Sequence, residues 1–67
     1  MRKTFIDIRD KEAENNAIVK TYVFNGDVSV MGVSNNRLMI IEHEIKGGKT
    51  TYVDLTETQI FSVRNWG

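Results

Sequence analysis

Three turn signals, Asn25-Gly26, Asn35-Asn36 and Gly47-Gly48, punctuate the middle of this 67-residue chain at intervals of about ten residues. That spacing leaves room for short strands joined by turns, the pattern of a small barrel or sandwich. The segments between the signals agree with it. Thr4 to Arg9 alternates, with Ile6 and Ile8 on one face and Phe5, Asp7 and Arg9 on the other. Ala17 to Phe24 is rich in β-branched and aromatic residues, as are Thr50 to Asp54 and Gln59 to Arg64. Asp10 to Asn16 is polar and reads as a loop or a single helical turn capped by Asp10. The expected fold is all-β: a small barrel of five to six antiparallel strands, with residues 1–67 as one domain.

Asn-Gly favours a two-residue hairpin, because a type I′ turn needs positive φ at both central residues. Such a turn at Asn25-Gly26 would set Phe24 against Asp27 and Val23 against Val28. One face would then collect Val19, Thr21, Val23, Val28 and Val30 as core. Ile18, Lys20, Tyr22, Phe24, Met31 and Val33 would fall on the other, mixed face. Likewise, a two-residue turn at Asn35-Asn36 would put Gly32 opposite Met39.

The strand read over residues 37–45 contains Leu38-Met39-Ile40-Ile41. Successive side chains leave a strand on opposite sides, so this run needs cover on both faces. Leu38 and Ile40 take the core side. Met39 and Ile41 need another cover, and size suggests what it is. A chain this short buries only about 60% of its unfolded surface. Disulfides, metals or oligomerisation usually make up the difference. The sequence has no Cys and a single His, which leaves oligomerisation. A homo-oligomer is expected, with Met31, Met39, Ile41 and the near-terminal Trp66 at its interface.

Chemistry is sparse. His43 lies between Glu42 and Glu44, which point away from it on a strand, and it reads as an ordinary strand histidine. Ser29, Ser34 and Ser62 lack a nucleophile-elbow context. The carboxylate pairs Asp7/Asp10 and Glu42/Glu44 read as exposed strand charges. Gly47-Gly48-Lys49-Thr50 shares the end of a phosphate-loop motif without its upstream glycine or following helix. No catalytic residue, metal site or cofactor is expected. Nine basic and nine acidic residues cancel, so no global charge draws the chain to nucleic acid or an anionic membrane. No apolar run is long enough for a membrane span or a signal peptide, and a cytoplasmic protein is expected. A local ligand surface remains: Tyr22 and Phe24 with Lys20, Arg37 and Lys49 could stack and neutralise RNA or a nucleotide.

Residues 23–63, "VFNGDVSVMGVSNNRLMIIEHEIKGGKTTYVDLTETQIFSV", resemble the Sm-like (Hfq-type) barrel. The similar features are a strand ending at Asn25-Gly26, a strand carrying Gly32, a bent apolar strand ending near Glu42, the Gly47-Gly48 turn and a last strand over Ile60 to Val63. The resemblance implies an oligomeric barrel with an RNA-binding rim. The N-terminus reads as a strand where that family has a helix, and Asp54-Leu55-Thr56 stands where it has a basic, histidine-containing element. "NNRLMII" and "VDLTETQIFSV" also look like bacterial pleckstrin-like domains, which are longer and end in a helix. Two function classes follow: a non-enzymatic binding module, and a small protein–protein effector of the kind phages and mobile elements encode.

Overall fold

A computed structural model describes residues 2–66. Six strands form: β1 (Lys3–Asp10), β2 (Ile18–Asn25), β3 (Val28–Ser34), β4 (Arg37–Glu42), β5 (Lys49–Asp54) and β6 (Gln59–Trp66). A 3₁₀ turn, Glu14–Asn16, lies between β1 and β2. All strand pairings are antiparallel. The all-β expectation therefore stands, but the strands do not close into a barrel. They form two three-stranded sheets, ordered β2-β1-β6 and β3-β4-β5.

The reason lies at Asn25-Gly26. The expected hairpin is absent: β2 pairs with β1, and β3 pairs with β4. Gly26 has φ +73°, whereas Asn25 stays out of the left-handed region, so the type I′ geometry is not met. The positive φ instead lets the chain cross from one sheet to the other. The N-terminal segment fixes that crossover. Gly26 N–H donates to the Arg2 carbonyl at 2.8 Å, and the buried Thr4 hydroxyl donates to the Gly26 carbonyl at 2.7 Å.

Losing the hairpin uncouples the faces of β2 and β3. Phe24 is buried and Tyr22 half-buried on the core side, while Val19 and Val23 are exposed. This reverses the face expected for β2. On β3 the expectation survives, since Val28 and Val30 pack against the core and Met31 and Val33 face out. The core is one cluster: Ile6 and Ile8 of β1, Phe24 of β2, Leu38 and Ile40 of β4, and Val53 of β5. It joins the inner faces of both sheets, and each fully buried aliphatic side chain in it contributes roughly 1.5–3 kcal/mol.

Other turns follow local chemistry. Asn35 and Asn36 connect Ser34 to Arg37 as a two-residue turn. A bulge between Gly32 and Ser34 shifts the register, so Gly32 faces Leu38 and Met39 faces Met31. Gly47 and Gly48 both take positive φ in the β4–β5 connection, and Gly48 N–H closes on the Ile45 carbonyl at 2.7 Å. This connection begins after Glu42, so β4 is shorter than the expected strand. Asp10 does not cap the 3₁₀ turn; its carboxylate accepts the Glu12 N–H at 2.9 Å instead.

Candidate functional site

The two outer sheet faces differ in chemistry, and the difference locates the candidate site. On β2-β1-β6 the centre is polar and sealed. Asp7 points outward yet is 1% exposed. The Thr21 hydroxyl donates to it at 2.8 Å, and Arg64 donates through Nε at 2.6 Å and Nη2 at 3.1 Å. The same guanidinium lies 5.0 Å from the centre of the Phe5 ring. Hydrogen bonds from Arg64, then Thr21, hold the Asp7 carboxyl below its ordinary range, against the opposing effect of burial. Arg64 thus covers both the charge and the ring.

The outer face of β3-β4-β5 is apolar and open. Pairing sets Met31, Met39 and Tyr52 in one cross-strand row, and Ser29, Ile41 and Thr50 in the next. Met31 is 52% exposed and Tyr52 57%, while Met39 and Ile41 are half-buried by their neighbours. One side of this strip ends in an ion pair. Arg37 Nε donates to Asp54 at 2.7 Å, and its guanidinium lies 5.8 Å from the Tyr52 ring centre. The hydrogen bond from Arg37 is the main reason the Asp54 carboxyl sits below its usual range. At the other side Ser29 Oγ and His43 Nε2 share a hydrogen bond.

The Ser29–His43 contact was not legible in the sequence. The contact is solvent-exposed, with Ser29 on β3 and His43 in the bend just beyond the end of β4. Ser29 is within β3, opposite Ile41, so its neighbours belong to a paired ladder. Acyl transfer needs a third group orienting the imidazole and donors aimed at an oxyanion. Among the described residues, His43 Nδ1 has no hydrogen-bond partner. A notch at the crossover is lined by Asn25, Gly26, Glu44 and Ile45, and internal hydrogen bonds border it. There Asn25 N–H donates to buried Glu42 at 3.3 Å and Asp27 N–H to Glu44 at 2.8 Å.

The expected site residues divide into groups. Met31, Met39 and Ile41 come together on one face, and pairing adds Tyr52, which the sequence reading left out. Trp66 lies on the other sheet opposite Lys3 and is 69% exposed, so it does not dock on its own chain. Lys20, Tyr22 and Phe24 line one side of β2. The Lys20 ammonium is 4.8 Å from the Tyr22 ring centre, and Tyr22 stacks on Phe24 with centroids 6.5 Å apart. Phe24 is buried and has no open face for a base. Arg37 and Lys49 stand near opposite ends of the second sheet, opposite Asp54 and Glu42. Among the described residues no cluster of His, Cys, Asp and Glu could hold a metal ion, and no helix is long and apolar enough to cross a membrane.

The chain matches no protein-family model, no curated protein and no solved structure.

Proposed function

We propose that this chain is a non-enzymatic binding module that works by protein contact through the outer face of β3-β4-β5, with a second copy of the chain as the occupant. The observation that carries this reading is the open row Met31–Met39–Tyr52. Methionine and tyrosine are enriched at the centres of protein interfaces, where flexible or amphipathic side chains adapt to a partner. The nearest cation, Arg37, is already bonded to Asp54, so the strip presents apolar surface bordered by a neutral pair. A two-fold contact would place the same strip on both subunits, as symmetric dimers require. A relation to the Sm-like barrels, proposed from residues 23–63, carries the same expectation of a small β-protein that assembles with its own copies. A reducing, cytoplasmic setting fits a chain without cysteine.

Binding of RNA or a nucleotide is the second reading, favoured by Lys20 over the half-buried Tyr22 ring. One accessible ring beside one cation is a smaller platform than the apolar strip. A foreign protein on the strip, in place of a second copy, is the effector reading.

Light scattering of the parent and of the double variant Met39→Asp/Ile41→Asp separates these. Loss of at least two-fold in mass by a variant that keeps its β spectrum supports the contact face. An unchanged mass above that of the monomer overturns it. A monomeric parent that captures a foreign protein supports the effector reading, and copurifying absorbance at 260 nm supports the nucleic-acid one.

A further inference from the structure

The four sheet edges are not equally protected. An edge strand offers unpaired N–H and C=O groups, and proteins usually guard it with bulges, lysines, prolines or short length. β2 has a register shift opposite Ile8/Arg9 and carries Lys20. β3 has its bulge between Gly32 and Ser34. β5 is only six residues long and begins with Lys49. β6 has none of these guards. It runs eight residues, pairs with β1 in unbroken register from Gln59 to Trp66, and contains no Lys, Gly or Pro. Its one ionisable residue, Arg64, is turned onto Asp7. Apolar side chains stand exposed on both of its faces: Phe61 and Val63 on the side of Ile6 and Ile8, Ile60 and Trp66 on the other.

We propose that β6 pairs antiparallel with β6 of a second copy, about a two-fold axis normal to the sheet at Ser62. This rests on the reading of the chain as a self-associating module, but it uses a different surface. A two-fold axis normal to the sheet keeps directly opposite residues on the same face, so one residue faces its own copy and the axis passes midway between the two. With Ser62 at the axis, Phe61 faces the partner's Val63, and Val63 faces the partner's Phe61. Ile60 then faces the partner's Arg64 and Gln59 faces the partner's Asn65, so no like charges meet. With Val63 at the axis, Phe61 would face the partner's Asn65 and lose its apolar neighbour. With Phe61 at the axis, the strands would overlap over fewer residues. Aromatic against β-branched residues is a favourable cross-strand pair, and the Ser62 register makes it twice. The two β2-β1-β6 sheets become one six-stranded sheet.

Two separate two-fold contacts per chain give an assembly of at least four copies. Light scattering on three proteins tests this. The parent is expected at four copies or more. Met39→Asp/Ile41→Asp is expected as a dimer held by β6, and Phe61→Lys/Val63→Lys as a dimer held by the β3-β4-β5 face. If folded Met39→Asp/Ile41→Asp is a monomer, the β6 inference falls and the contact face stands. If folded Phe61→Lys/Val63→Lys is a monomer, the contact face falls and β6 stands. Crosslinking covers variants that fail to fold. The chain has no native cysteine, so Ser62→Cys and, as a control in the β3–β4 turn, Asn36→Cys each introduce one thiol. Mild oxidation should give at least ten-fold more covalent dimer with Ser62→Cys. Equal yields would overturn the pairing.

Discussion

Ile40 and Ile41 are adjacent in sequence and face opposite ways, and truncating each to Ala reads the two sides of β4 separately. Ile40 is 0% exposed, paired to Val30 and Thr51 on its two sides, and lies in the cluster that joins both sheets. Ile40→Ala removes Cγ1, Cγ2 and Cδ1, at about 0.8 kcal/mol per carbon. The cavity left in so small a core raises the loss to about 3–4 kcal/mol. A domain of this length has only about 3–10 kcal/mol of stability to lose. With a urea dependence of about 1 kcal/mol per molar, the midpoint falls by roughly 3 M. Ile41 is half-buried on the outer face. At low micromolar protein Ile41→Ala should cost only about 1 kcal/mol, because less apolar surface returns to water. At a hundred-fold higher concentration its cost should grow, since the parent then gains stability from assembly and the variant gains less. The cost of Ile40→Ala should barely change with concentration. Equal midpoint shifts for the two variants at low concentration would refute the assignment of their faces. An Ile41→Ala shift independent of concentration would refute burial of that face by a second copy.

Gly26→Val should lower stability by about 1 kcal/mol or more, because Val at φ +73° is strained and its Cβ would overlap the Glu44 carboxyl; an unchanged urea midpoint would contradict the crossover geometry. The Asp7 carboxyl is held low chiefly by Arg64, so its share of stability is complete above the unfolded value near ~3.9 and is lost as pH falls through the lower folded value. Asp7→Asn should therefore melt below the parent at pH 7, and the gap should narrow as pH falls below the unfolded value; a gap that stays constant into strong acid would exclude the coupling. The Arg37–Asp54 pair is solvent-exposed, so Asp54→Asn should have a smaller effect that fades in high salt, as checked by melting with and without added salt.

Alternation alone separated the two faces of β1 and β4, because Ile6/Ile8 and Leu38/Ile40 obey the two-residue period whatever their strands pair with, and these are the sides that prove buried. The inward side of β2 was not legible. Asn25-Gly26 advertises a local hairpin, but Thr4 and the Arg2 carbonyl, far upstream, bind Gly26 and hold β2 against β1. The choice between Val23 and Phe24 as core follows from that distant pairing. The candidate face was half legible. Met39 and Ile41 announced an outward apolar side, but the row Met31–Met39–Tyr52 depends on a one-residue bulge near Val33 and on the β4–β5 register. The Asp7–Arg64 pair spans almost the whole chain, through the pairing of β1 with β6, and no local pattern encodes it.

Light scattering of the unmodified protein across a concentration series, from low to high micromolar, tests the association claim most directly. The open face of β3-β4-β5 and the unguarded β6 edge predict a mass several times that of one chain, with dissociation only on dilution. A single-chain mass persisting at high micromolar concentration would contradict both contact surfaces.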